Sequence, residues 1–104
     1  MKGRYDLSIE AQKDLIEIAD YLKTEAGNEI ADKVLDQLQL AFQNLSENPG
    51  IGHFRNDLLD PRHKFWNVYS YMIVYRWKTA PIQILAIVHG ARDLSPYFTR
   101  RGIV

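Results

Sequence analysis

Residues 64–89, KFWNVYSYMIVYRWKTAPIQILAIVH, decide the fold, because they contain three runs with the composition of β-strands. The runs are KFWNVY (64–69), YMIVYRWK (71–78) and IQILAIVH (82–89), each rich in aromatic and β-branched residues. Ser70 alone separates the first pair, and Thr79-Ala80-Pro81 separates the second. Connections this short join antiparallel neighbours. The sequence therefore predicts a three-stranded antiparallel meander.

The apolar period upstream of the meander is that of helices. After strand-like alternation at Tyr5 and Leu7, Ser8 has the position of an N-cap, and apolar residues then recur every three or four positions. The two apolar stripes are Ala11, Leu15, Ile18, Leu22 and Ala26, followed by Ala31, Leu35, Leu38, Phe42 and Leu45. Gly27-Asn28 interrupts the pattern, and Asn48-Pro49-Gly50 ends it. We predict an α+β fold of two layers: strand, antiparallel helical hairpin and three-stranded antiparallel meander.

The last predicted strand is apolar on both faces. Strict alternation places Ile82, Ile84, Ala86 and Val88 on one face and Leu85 and Ile87 on the other. A helical hairpin covers one face, so the second must be covered by the C-terminal tail or by another molecule. The tail offers Tyr97, Phe98 and Ile103, and Ser95-Pro96 predicts a terminal helix with Ser95 as its N-cap.

Length and composition bound the class of protein. The 104 residues match one domain, 1–104, and an apolar content of 46% suffices for one core. The chain has no cysteine, which removes disulfides and fits a reducing cytoplasm. No apolar run approaches the roughly 20 residues that cross a bilayer, and no signal peptide pattern is present. We expect a soluble cytoplasmic protein that does not contact membranes.

Charge is divided unequally along a chain of zero net charge. Residues 1–48 carry five Lys and Arg against ten Asp and Glu, a net of −5. Residues 49–104 carry eight against three, a net of +5. Such asymmetry indicates a charged partner, the alternative being chance segregation in a small protein. The neutral total predicts no tight binding to free nucleic acid.

The sequence contains few residues in patterns that perform chemistry. His53, His63 and His89 lack the spacing of metal ligands, and no nucleotide-binding motif is present, so we predict neither metal nor cofactor. One alternative is a metal-free ribonuclease site, which needs an acid, a base and cations for the transition state. Its candidate residues are Arg92, Tyr97, Arg76 and His89. Asp93 and Arg62 could converge with them, because strand ends and the chain leaving them meet at one sheet edge. Arg92 and Asp93 could equally form a local ion pair or a helix cap.

The order of these elements resembles the ParE branch of the RelE/ParE toxins of bacterial type II toxin–antitoxin systems. The matching pieces are LS-IEAQKDLIEIADYL in the first helix, AFQNLSENPGIG closing the second, YMIVYRW in the central strand and ILAIVHGARD in the last. RelE-like members are ribosome-dependent messenger RNA nucleases and typically carry an Arg just before the VY of the central strand. Here YMIVY occupies residues 71–75, and Arg76 follows it.

The resemblance therefore implies a ParE-like toxin that binds DNA gyrase without performing chemistry, with the RelE-like nuclease as the alternative. It also implies neutralisation by a ParD-like antitoxin in a hetero-oligomer. For the target-binding surface we predict Arg92, Asp93, Tyr97 and Arg62. For the antitoxin-binding surface we predict Leu85, Ile87, Tyr75 and Trp77.

Overall fold

The computed structural model describes residues 4–90 and 93–103. Its elements in chain order are β1 (Tyr5–Leu7), α1 (Ile9–Ala26), α2 (Asn28–Glu47), a 3-10 turn (Pro49–Ile51), β2 (His63–Val68), β3 (Tyr71–Arg76), β4 (Ile82–His89) and α3 (Leu94–Arg101). The strands form one sheet in the order β1-β4-β3-β2, with β1 parallel to β4 and the other pairs antiparallel. The predicted α+β fold of strand, helical hairpin and meander is confirmed.

The helical hairpin begins and turns at residues that suit those positions. The Ser8 hydroxyl accepts a hydrogen bond from the Ala11 N–H at 3.0 Å, which confirms the predicted N-cap of α1. Gly27 alone separates α1 from α2, and its φ of 93° is one that glycine adopts without strain. Asn28 already belongs to α2, so the break is one residue shorter than the sequence pattern indicates.

The hairpin packs on one face of the sheet, and β4 changes which residues it presents to that face. A β-bulge interrupts the β3–β4 register, so that Tyr75 pairs with Ile84 while Val74 pairs with Ala86. Ile82, Ile84 and Ile87 therefore lie in the core under the hairpin, whereas Ala86 and Val88 lie in the core on the other face. The predicted strict alternation along β4 was wrong, because the extra residue Leu85 reverses the faces beyond it.

Helix α3 covers the second face of the sheet. Leu94, Tyr97 and Phe98 are buried against the sheet residues on that side, and Ile103 is partly buried beside them. The sequence left open whether the tail or another molecule covers this face, and in the structure the tail covers it. The helix begins at Leu94 with Asp93 at the N-cap position, so the predicted Ser95 cap was wrong. Pro96 fits the first turn because N–H groups there have no partner within the helix.

Candidate functional site

The outer edge of β4 is completed by side chains of the α1 region. β1 pairs only with residues 82–84, and the chain then turns into the helix at Ser8. The Ser8 N–H donates to the Ile84 carbonyl at 3.0 Å, and its hydroxyl donates to the Leu85 carbonyl at 3.2 Å. Further along, the Ile87 N–H donates to Oδ2 of Asp14 at 2.9 Å. Polar side chains thus replace the strand where β1 ends.

Arg101 attaches α3 to α1 through the same carboxylate. Its Nη1 donates to Oε2 of Glu10 at 2.9 Å, its Nη2 donates to Oδ2 of Asp14, and its guanidinium lies 4.8 Å from the centre of the Tyr97 ring. Burial raises the pKa of Asp14 and outweighs the Ile87 N–H and Arg101, which lower it. Burial works against charge on Arg101, but Glu10 and Asp14 together raise its pKa. The sequence analysis did not identify Arg101 as a site residue, because its only local signal is a cation in the last turn of a helix.

Tyr97 and His89 lie together in a groove between α1 and the end of β4. The Tyr97 hydroxyl lies 3.5 Å from Oδ1 of Asp14, and the His89 ring makes an edge contact with Tyr71 at 5.6 Å. The groove has a volume of about 470 Å³ and is lined by Asp14, Glu17, Ile18, Tyr21, Tyr71, Ile87, Val88, His89 and Tyr97. The structure therefore brings together two of the four candidate nuclease residues.

Arg76 lies at the opposite end of the sheet. Along β3, Tyr71 pairs with His89 and Arg76 pairs with Gln83, so the two ends are five residues apart. At about 3.3 Å per residue this separates Arg76 from His89 by roughly 17 Å. Arg92 lies outside the described residues. The candidate nuclease residues that the structure describes are not brought to one place.

The predicted target-binding residues are also divided between the two ends. Asp93 lies at the start of α3, near the His89 end, whereas Arg62 precedes β2 at the Arg76 end. Arg62 is exposed and forms an ion pair with Asp60 at 2.7 Å. Because this pair is exposed, its contribution to stability is small, and Arg62 is accessible to a partner. Tyr97 lies in the groove with His89 and is almost completely buried.

Three polar side chains form a row across the sheet at the Arg76 end. His63 of β2 pairs with Arg76 of β3, and Arg76 pairs with Gln83 of β4. All three line a cavity of about 260 Å³ on the side of α3, together with Arg101. His63 is buried, and burial lowers the pKa of its imidazole, against the opposing effect of the Asp60 carboxylate. This row was also missed, because its members are separated along the chain.

The four predicted antitoxin-binding residues occupy different environments. Tyr75 has no exposed surface, and its hydroxyl donates to the Pro49 carbonyl at 2.7 Å while accepting from the Gly52 N–H at 3.0 Å. Ile87 is 3% exposed in the core under the hairpin. Leu85 lines the cavity on the α3 side, whereas Trp77 packs from the hairpin side. Tyr75 and Ile87 are thus core residues, and only Leu85 and Trp77 are partly exposed.

A more accessible surface lies along the edge strand β2. Phe65 exchanges backbone hydrogen bonds with His53 at 2.8 and 2.9 Å, so its backbone groups face away from β3. Asn67, two residues further, presents its backbone on that same side. A groove of about 370 Å³ adjoins this edge, lined by Gln37, Leu40, Ala41, Asn44, Trp66, Asn67, Val68 and Tyr69. In the sequence, this surface is marked by Leu40, an apolar residue outside the buried stripe of α2. Leu40 is 56% exposed.

Within residues 4–90 and 93–103, no three His, Cys, Asp or Glu side chains are grouped so as to hold a metal ion. No helix in this part of the chain is long and apolar enough to span a membrane. The site chemistry that the described residues offer is therefore that of arginine, histidine, tyrosine and carboxylates.

Comparison with known proteins assigns the class and the family. A sequence-family model, described as the ParE toxin of type II toxin–antitoxin system, parDE, matches residues 5–94. This match places the protein among the toxins of type II toxin–antitoxin systems. Because the match spans most of its length, the chain belongs to the ParE toxin family.

The fold is also that of a solved structure. A chain in the structure titled "Chromosomal ParDE TA system from P. aeruginosa" is 23% identical, with a TM-score of 0.70. The alignment covers 85% of this chain and 96% of that chain. A search of curated proteins found no match. At this identity the structural likeness shows the shared fold.

Proposed function

We propose that this toxin acts by binding DNA gyrase and is neutralised by a ParD-like antitoxin in the cytoplasm. Membership of the ParE family supports both partners. The observation that favours binding over catalysis is the separation of Arg76 from His89, since a general acid and a transition-state cation must act on the same phosphate. The described residues offer surfaces for a partner, whereas Arg76 and His89, two of the candidate nuclease residues, lie at opposite ends of the sheet.

The edge of β2 is the surface that best suits the antitoxin. An extended peptide can add to an exposed sheet edge through its backbone and bury alternate side chains in an adjoining groove. Asn67 supplies the free backbone groups, while Leu40, Trp66 and Tyr69 supply apolar surface. We propose this surface in addition to Leu85 and Trp77, and we expect a hetero-oligomer of toxin and antitoxin.

The test of the gyrase proposal uses purified toxin, gyrase, ATP and plasmid. We expect supercoiling to fall and cleaved plasmid to accumulate, because a bound toxin would hold gyrase in its cleaved-DNA state. Prior addition of a ParD-like antitoxin is the control and should prevent both effects. Unchanged supercoiling without cleaved plasmid at saturating toxin would contradict the proposal, as would cleavage of messenger RNA by the toxin on translating ribosomes.

A further inference from the structure

The polar row at the end of the sheet continues the face that α3 covers. Phe65, Val74 and Ala86 of the three strands are buried under α3. Beyond them in β2 and β3, the same face presents His63 and Arg76, and Gln83 of β4 aligns with Arg76. Helix α3 ends at Arg101, so its last turn borders this row without covering it. The result is a polar cavity at the edge of an apolar core.

The guanidinium of Arg76, which lines this cavity, lacks within residues 4–90 and 93–103 the partners that a partly buried guanidinium usually has. Its side chain is partly buried, and its Nε is buried without a hydrogen-bond acceptor. Among the described residues its guanidinium forms no ion pair. The other arginines near it differ, since Arg62 pairs with Asp60 and Arg101 pairs with Glu10 and Asp14. A partly buried charge without a counterion is unfavourable, and an anionic ligand would relieve that cost.

Further donors surround the same space. The Nε of Arg101 is buried and unpartnered, although both of its terminal nitrogens are paired with carboxylates. Nδ1 of His63 is buried at 3.3 Å from Oδ1 of Asp60 without forming a hydrogen bond. Ser8 and Glu10, which also line the cavity, belong to the start of α1, where the positive end of the helix dipole favours an anion. The carboxylate of Glu10 is already paired with Arg101.

We propose that this cavity binds a small tetrahedral oxyanion of the phosphate class, held by Arg76, Arg101 and Gln83. The donors come from β3, α3 and β4, and an anion with oxygens in four directions can accept from all three. The volume of about 260 Å³ lies below the roughly 300–1,000 Å³ of pockets for larger ligands. Free phosphate and the terminal phosphate of a nucleotide share this chemistry.

The test is a titration of the full-length toxin at constant ionic strength, followed by NMR of the arginine Nε–H signals. The probes are inorganic phosphate, adenosine 5′-monophosphate and acetate. We expect saturable shifts of the Arg76 and Arg101 signals with phosphate and much weaker effects with acetate. Binding of adenosine monophosphate as well would assign the site to phosphomonoesters, and binding of phosphate alone would assign it to the free anion. No saturable shift, or equal affinity for acetate, would overturn the proposal.

Two substitutions with matched loss of charge give the control. Arg76→Gln should weaken phosphate binding by about tenfold, because charge-assisted hydrogen bonds are lost. Arg62→Gln removes the same charge from the surface and should change the affinity by less than about twofold. Equal effects of the two substitutions would indicate only nonspecific attraction and would overturn the site.

A third variant separates a ligand site from a purely structural arginine. Gln83→Glu places a carboxylate beside Arg76, so it should raise the melting temperature in phosphate-free buffer and abolish phosphate binding. Arg76→Gln should not lower the melting temperature in that buffer, since it removes an unpaired charge. A lower melting temperature for Arg76→Gln, or unchanged phosphate binding by Gln83→Glu, would contradict the proposal.

Discussion

At the scale of single residues, Gly52 shows how the absence of a side chain positions a loop. Its N–H donates to the Tyr75 hydroxyl, and its carbonyl accepts from Nζ of Lys64 at 3.1 Å. A Cβ at this position would lie 2.4 Å from the Tyr75 oxygen, whereas a Cβ at Gly50 would meet nothing within 4 Å. The loop after the hairpin is therefore fastened to the sheet by contacts that only a glycine permits.

We expect Gly52→Ala to lower the free energy of unfolding by about 1–3 kcal/mol, because the added methyl group displaces the buried Tyr75 hydroxyl. Gly50→Ala is the matched control and should leave stability nearly unchanged. Urea denaturation of both variants measures the difference. Equal stability of the two variants would show that Tyr75 can move away at little cost.

A second residue prediction concerns His63. Because burial lowers its pKa in the folded protein below the ordinary 6.5, the unfolded chain binds more protons as the pH falls below that value. His63 therefore contributes stability above about pH 6.5 that is lost as the pH falls toward its folded pKa.

We expect His63→Gln to reduce the loss of stability between about pH 7.5 and about pH 5.5, measured by urea denaturation at both values. His53→Gln, at an exposed position, serves as the control for the loss of an imidazole. An unchanged dependence in His63→Gln would exclude this histidine as its source.

At the scale of elements, β2 is the strand whose outer edge is only partly covered. The loop at His53 pairs with Phe65, and the edge is open again at Asn67. Proline is tolerated at an edge position whose N–H faces outward, because no bond within the sheet is lost. This allows the edge to be blocked while the β2–β3 ladder is kept.

We expect Asn67→Pro to weaken binding of a ParD-like antitoxin by about tenfold or more, since it removes a donor to an added strand. Asn67→Ala keeps the backbone N–H and should bind nearly as the original protein does. Calorimetry of both variants, with circular dichroism to confirm folding, makes the comparison. Equal affinity of the two variants would place the antitoxin away from this edge.

The third helix shows why the candidate site was harder to predict than the fold. The sequence left the second face of the sheet to be covered either by the tail, with Tyr97 and Phe98, or by another molecule, and these two residues do cover it. The contact of Arg101 with Asp14 joins residues 87 positions apart, and no local pattern marks such a pair. Likewise, the Ser95 cap was a sound local signal, but the helix begins at Leu94. Leu94, the first residue of α3, is buried against the sheet, and the side chain of Asp93 makes no capping hydrogen bond.

At the scale of the whole molecule, the charge asymmetry of the sequence becomes a division between sets of elements. The acidic half forms β1 and the helical hairpin, and the basic half forms the meander and α3. The two halves share one sheet through the β1–β4 pair, and Arg101 of the basic half contacts Glu10 and Asp14 of the acidic half. A charged partner would therefore meet surfaces of different sign on the hairpin and on the basic half.

The sequence by itself determined the strand, the helical hairpin and the meander, because their signals are periods of two and of three to four among neighbouring residues. Only the tertiary structure decided the bulge at Leu85, the burial of Tyr75 and the row of His63, Arg76 and Gln83. These features depend on how distant segments align and on which space the packed layers leave between them. Such alignments are set by the packing of the complete core, which no local stretch of residues encodes.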